Sequence, residues 1–284
     1  TASATQAVTV NVTDDPSDNY DFTQGLVAHY PFDGNANDIS GNGNHGQLNG
    51  NPTFIAGVTL NALSLDGIDD HMVGPGPLTT SLPFTWASWF KINSTGAEAS
   101  GPFLSIQAPP VQWSPNLNFT SNANNTVDVD FGAYGGGNNL QTSFNQESPT
   151  WVHVCISNDQ TGTSQLFVDG VLKVTQGGRS FGQLNNYFVV GGYEPTSQFK
   201  KFDIDELRIY DRALSAVEVA ALYQLEKPPN QAPAFAGGST FTTAENNASA
   251  SFLVNATDAD GDNLTYALSG ADADKFNLNT ATGV

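Results

Sequence analysis

The feature that most constrains this chain is the punctuation of its apolar residues. Between residues 25 and 226 they fall in short alternating runs, each closed by a cluster of Gly, Asn, Asp or Pro. Period-two alternation puts successive side chains on opposite faces of a pleated strand, and frequent breaks leave room only for strands joined by turns. The runs Leu63–Leu65, Phe84–Ile92, Val127–Phe131, Trp151–Ser157, Gln165–Val168, Tyr187–Val190 and Ile204–Ile209 obey this rule. The expected fold class is all-β, an antiparallel β-sandwich or jelly roll. Asp169-Gly170 between Gln165–Val168 and Val171–Val174 is the strongest hairpin signal, because two-residue turns of this type need positive φ at both positions. One helix is expected, over Leu214–Leu225. Ser215 can cap its first turn while Glu218, three residues on, reaches back to the cap.

Composition narrows the partners. The chain has 284 residues with 28 Asp+Glu against nine Lys+Arg, a formal charge of -19. Nucleic acid is excluded as a natural partner, since phosphate recognition needs clustered cations. No apolar run is long enough to insert into a membrane. A hard cation such as Ca²⁺ is the fitting counter-charge, because it takes carboxylate and carbonyl oxygens. The single cysteine, Cys155, sits in a strand-like run and makes no internal disulfide or cysteine-based metal site, so it reads as a small buried hydrophobe.

The ends differ from the middle. Val8, Val10 and Val12 alternate with Thr9, Asn11 and Thr13, so residues 1–15 read as the terminal strand of a repeat whose earlier part lies upstream. Residues 16–24 are an acidic linker, 25–226 the main domain and 227–233 a Pro-rich linker. Residues 234–284 read as the first part of a further β-domain.

Seven stretches carry a family resemblance in order: Gly25–Gly34, Asp38–Gly46, Ala62–Asp70, Phe84–Lys91, Trp151–Val154, Leu166–Gly170 and Ile204–Ser215. Residues 25–226 resemble laminin-G-like, concanavalin-like jelly rolls over their whole length. The ends resemble the cadherin-like repeats of large bacterial surface proteins. This resemblance rests on Ala232–Phe235, Ala244–Asn246, Asp258–Tyr266, Phe276–Gly283 and, at the other end, Thr5–Asp14. It implies partial Greek-key cadherin-like sandwich pieces flanking the jelly roll, in a secreted or cell-surface protein.

Candidate metal ligands follow. The loop Asp38-Ile39-Ser40-Gly41-Asn42-Gly43-Asn44-His45 sets oxygen-bearing side chains among glycines, a pattern that suits calcium or, without an ion, simple Asx-turn capping. In laminin-G-like relatives this loop lies near the penultimate strand, so Asp38, Asn42, Asn44 and Asp205 are the expected ligands. The cadherin-like resemblance makes Glu245, Asp258 and Asp260 candidate junction ligands. Asp14 and Asp15 at the other junction either bind calcium or form a solvated charge run.

No enzyme is expected. Asp203-Ile204-Asp205-Glu206 is similar to part of a glucanase strand, but strict alternation would put Glu206 on the face opposite Asp203 and Asp205. His153 is expected at the sandwich rim, and Trp86, Trp89 and Trp151 in the core. Trp113, Tyr134 and Tyr193 lie in polar, glycine-rich surroundings. There they either stack on sugar rings, with Asn138 and Asn139 reading hydroxyls, or pack the loops themselves. Three functions fit: a calcium-dependent adhesion module binding an extracellular glycan or surface protein, a calcium-stiffened spacer between adjacent repeats, or a carbohydrate-targeting module of a polysaccharide-degrading enzyme.

Overall fold

The computed structural model describes residues 20–76, 83–92, 101–106, 115–121, 126–133, 140–145, 151–178, 187–192 and 199–228, with 234–235, 256–257, 277 and 279. The chain divides into two compact units, Thr1–Lys227 and Pro228–Val284. In the second, the described residues form one short antiparallel pair, Ala234–Phe235 with Ala256–Thr257. The expected strands around Phe241, Ala250–Val254 and Leu264–Leu268 lie outside the described residues, as does Val8–Val12.

The first unit is a sandwich of two antiparallel sheets. Its strands are β1 (Leu26–Tyr30), β2 (Gln47–Asn49), β3 (Thr53–Ala56), β4 (Asn61–Asp66), β5 (His71–Pro75), β6 (Phe84–Lys91), β7 (Gly101–Ile106) and β8 (Pro115–Ser121). They continue with β9 (Thr126–Ala133), β10 (Leu140–Asn145), β11 (Val152–Asn158), β12 (Ser164–Val168), β13 (Val171–Gln176), β14 (Tyr187–Val190) and β15 (Lys201–Tyr210). One eight-stranded sheet runs β13-β12-β11-β6-β15-β4-β3, with β1 also paired to β15. The seven-stranded sheet runs β10-β9-β8-β7-β14-β5-β2.

The inner face is the apolar phase of each alternating run. Phe84, Trp86 and Phe90 of β6 meet Phe119, Phe131 and Phe103 of the opposing sheet. Phe103 lies with its ring centroid 4.2 Å from Phe202 and 4.5 Å from Phe119. Trp86 meets Phe131 edge-on at 84°, an arrangement the ring quadrupoles favour.

The eight-stranded sheet also buries much of its outer face. Ala87, Cys155, Phe167 and Tyr210, which point away from the sandwich core, pack under helix α1 (Ala216–Glu226) through Val219, Ala221 and Leu222. The helix begins and ends within two residues of expectation. Ser215 accepts from the Glu218 backbone N–H, and Glu218 accepts from the Ser215 backbone N–H in return. The Asp169-Gly170 hairpin also forms, with φ of 51° and 74°.

Three expectations need correction. His153 is wholly buried beneath α1 and not at the rim, its ring against Trp89 and Tyr223. Trp151 is half-buried before β11, with Lys91 Nζ 5.7 Å from its ring centroid, so it belongs to the margin of the core. Glu206 lies on the same side of β15 as Asp205, because a bulge interrupts the pairing with β6 between Asp205 and Arg208 and turns Glu206 to a φ of 51°. A bulge inserts one residue and resets the alternation.

Phe103→Ala is expected to cost about 3–5 kcal/mol in urea unfolding, and Ser215→Ala about 1 kcal/mol. Equal losses for the two would contradict this assignment of core and cap.

Candidate functional site

Among the described residues, three regions bear on the expected chemistry. The first is the loop of residues 36–46, which returns along β1. Asp38 anchors it: Oδ1 accepts the backbone N–H groups of His29 and Ser40, and Oδ2 accepts the Asn44 N–H and the Ser40 hydroxyl, all at 2.9 Å. Burial works to raise the Asp38 carboxyl, and these donors outweigh it, leaving it below the usual aspartate value. Around the Val27 carbonyl, Ser40 Oγ, Asn42 Nδ2 and Asn44 Nδ2 converge at 3.2, 3.1 and 2.8 Å. Asn42 also donates to the Leu26 carbonyl at 2.8 Å, and the Asn44 carbonyl accepts the Tyr30 hydroxyl. The fold thus gathers Asp38, Asn42 and Asn44 around one β1 carbonyl. Each amide offers an oxygen in place of its nitrogen by a half-turn of its terminal bond, which makes an all-oxygen set of the kind calcium takes.

Asp205 goes elsewhere. Its Oδ2 accepts the backbone N–H groups of Val58 and Thr59, at 2.8 and 3.3 Å, and Oδ1 accepts that of Glu206. These contacts tie it to the turn before β4 and not to the Asp38 loop. Sequence spacing cannot decide which of two loops a strand residue meets.

The second region is the buried polar layer between β15 and α1. Arg208 donates through Nε to Glu226 Oε1 at 2.5 Å and through Nη2 to Glu206 Oε2 at 3.2 Å. Glu226 Oε2 also accepts the Trp89 indole N–H at 2.9 Å and lies 3.8 Å from His153 Nε2. Glu206 bonds His29 Nε2 and the Thr59 hydroxyl. Burial and the neighbouring Glu206 charge push Asp205 up to about 7. Burial also pushes Glu226 up to about 7, against the pull of Arg208. Burial works to raise Glu206 as well, but His29, Thr59 and Arg208 overcome it and hold the carboxyl down at about 2. Burial lowers His153 to about 3, with Arg208 adding to the effect. Asp203, Asp205 and Glu206 are all buried. Carboxylates flanking a glycosidic bond must reach the sugar from both sides, and this arrangement gives them no access to one.

The third region is the outer face of the seven-stranded sheet. Val129 and Phe131 face the core, so Asp128 and Asp130 face outward. Register places Asn118, Asp130 and Gln141 in one cross-strand row, and Asp128 opposite Ser143 in the next. Gln141 Nε2 donates to Asp130 Oδ2 at 3.1 Å, and the Ser143 hydroxyl to Asp128 Oδ1 at 2.6 Å. These residues were not singled out from the sequence, although the polar phase of Thr126-Val127-Asp128-Val129-Asp130-Phe131 marks them.

Trp113, Tyr134, Asn138, Asn139 and Tyr193 lie outside the described residues, as do Asp14, Asp15, Glu245, Asp258 and Asp260. The strand ends that bracket the first four are described. Pro115 pairs with Ala133, and Leu140 with Phe131, so β8, β9 and β10 open and close at one end of the polar rows. β14, which precedes Tyr193, runs away from that end.

A family model described as Laminin_G_3, of the concanavalin A-like lectin/glucanases superfamily, matches residues 66–220, more than half of the chain. The chain belongs to this superfamily. No curated protein sequence matches. Among solved structures, domain 4 of AbnA, a GH43 extracellular arabinanase from Geobacillus stearothermophilus in complex with arabinotriose, superposes with a TM-score of 0.56 at 22% identity. That match covers 70% of this chain and 98% of the arabinanase domain. The receptor-binding domain of botulinum neurotoxin type G aligns with a TM-score of 0.55 at 14% identity, over 72% of this chain and 52% of the toxin chain. The binding domain of Paraclostridial Mosquitocidal Protein 1 gives 0.55 at 15%, over 73% and 52%. The chain thus spans about half the length of the toxin domains, and at these identities the likeness is one of fold.

The buried layer yields a pH dependence. A carboxyl whose folded pKa is raised binds its proton more tightly in the native state, so stability falls as pH rises from the ordinary glutamate range toward about 7. Melting temperature is expected to decline across that window and to decline less in Glu226→Gln. An identical slope in the variant would mean that Glu226 is already ionised at low pH. On the acid side, Glu206 predicts the opposite loss as pH falls toward about 2.

Proposed function

We propose that the main domain is a non-catalytic, glycan-binding module of an extracellular protein, presenting the outer face of its seven-stranded sheet to the ligand. The supporting observation is the cross-strand row Asn118, Asp130 and Gln141, with Asp128 and Ser143 beside it. Amides, carboxylates and hydroxyls at strand spacing supply paired donors and acceptors on a rigid surface, which is what sugar hydroxyls require. Trp113, Tyr134, Asn138, Asn139 and Tyr193 extend this reading as proposed aromatic and amide contacts. The arabinotriose held by the arabinanase domain of like fold makes short oligosaccharides the first ligands to test. The printed descriptions of the toxin domains as receptor-binding and binding domains agree with a binding role.

Calcium belongs to the same reading. Asp38, Asn42 and Asn44, with Ser40 and the Val27 carbonyl, would hold the ion, which would fix the 36–46 loop against β1 in place of a disulfide. Asp14, Asp15, Glu245, Asp258 and Asp260 are the proposed ligands at junctions with cadherin-like repeats, in a long surface protein.

On a glycan array, binding is expected to survive in the wild type and to fall about tenfold in Asn118→Ala or Gln141→Ala, the worth of about one hydrogen bond. Unchanged binding in both variants would move the site off this face. Saturating calcium is expected to raise the melting temperature, by mass action on the folded state alone. Asn42→Ala should blunt that rise while Asp205→Asn preserves it. A wild-type protein indifferent to both calcium and chelator would remove the ion from the account.

A further inference from the structure

A concavity lies away from the polar rows, beside the helix. It measures about 360 Å³, within the ~300–1,000 Å³ typical of small-ligand sites. Three pieces of chain build it: the Asp169-Gly170 turn, one side of α1, and Tyr20 ahead of β1. Each is held independently. Asp169 sits at positive φ and accepts the His153 backbone N–H at 3.0 Å through Oδ1. Tyr223 stacks on Trp89 at 5.4 Å, and a Cβ on Gly170 would come within 3.1 Å of its own Cβ. Tyr223 is therefore clamped between the indole and the turn. Tyr20 packs against Phe22, itself part of the cluster beneath α1.

The lining is mixed in a telling way. Val171, Val217 and Ala220 provide an apolar wall, the tyrosines provide rings, and Asp169 and Gln224 provide an acceptor and a two-way amide. A lipid chain would have no use for the carboxylate, which loses solvation when covered. A free cation would meet Lys173 and Lys227, whose charges already act on Asp169. A sugar residue satisfies both halves: its C–H face lies on rings and aliphatic carbon, and its hydroxyls donate to Asp169 and exchange with Gln224. Asp169 and Tyr223 both line this concavity, and burial first and then the Asp169 charge hold the Tyr223 phenol above its usual range.

We propose that this helix-side cavity is a second, independent saccharide subsite, taking one or two sugar units against Tyr20, Asp169 and Gln224. It rests on the glycan-binding reading and adds a second point of attachment on another face of the module. Two sites on one domain raise the apparent affinity for a polymer above that of either alone.

The test is protein-observed NMR of the 284-residue chain, titrated separately with arabinotriose, xylotriose and cellotriose. At least one is expected to shift the ring signals of Tyr20 and Tyr223 and the side-chain amide of Gln224. Tyr20→Ala and Gln224→Ala should each weaken that response several-fold while leaving the Asn118 and Gln141 amide shifts intact. The reverse set, Asn118→Ala and Gln141→Ala, should leave the tyrosine shifts intact. Shifts confined to the sheet amides would overturn the second subsite and spare the proposed function. Silence at both places with every trisaccharide would overturn both.

Discussion

Arg208 is the interaction on which the helix side of this domain depends. Its guanidinium is buried between Glu206, two residues before it on the bulged strand, and Glu226, the last residue of the helix. A lone carboxylate there would be costly, and removing one partner would leave the other charge stranded out of water. The pairing ties the end of the helix to the bulged segment of β15. Trp89, His29 and Thr59 complete the layer by donating to the same carboxylates. Through them β1, β6, β15, α1 and the turn before β4 are brought to one polar centre.

This centre separates structure from function in the molecule. The acidic residues most suggestive of catalysis in the sequence, Asp203, Asp205 and Glu206, are consumed by it or buried beside it. The proposed recognition surfaces are the polar phase of the seven-stranded sheet and the concavity beside the Asp169-Gly170 turn. Both stand on regular elements, strands in one case and a helix and hairpin in the other. Cross-strand register spaces Asn118, Asp130 and Gln141, and the clamp of Trp89 and Gly170 holds Tyr223. A ligand meeting such pre-positioned groups would pay little to order them.

The loop of residues 36–46 shows how one motif serves two readings. Without an ion, its amides and serine hydroxyl donate to the Val27 carbonyl, and Asp38 collects four donors. With the Asn42 and Asn44 amides turned about their terminal bonds, the proposed calcium ion would meet their oxygens in place of the nitrogens. The chain has a single cysteine and so no internal disulfide, and the loop closes on β1 by these hydrogen bonds.

The alternating runs were sufficient for the all-β sandwich, because period-two burial leaves a chain only one way to hide its apolar phase. Local chemistry was equally legible: the Ser215–Glu218 capping box and the Asp169-Gly170 turn depend on residues at most three positions apart. The superfamily itself was readable from seven ordered stretches. Tertiary structure decided everything that joins distant strands. The bulge after Asp205, set by pairing with β6, put Glu206 beside Asp205 where alternation predicted opposite faces. The neighbours of β15 sent Asp205 to Val58 and Thr59 and not to the Asp38 loop. Register alone assembled Asn118, Asp130 and Gln141, which are separated by 12 and 11 positions in the chain. Local propensity acts over a few residues, whereas a site is made by contacts that only closure of the sheets can bring together.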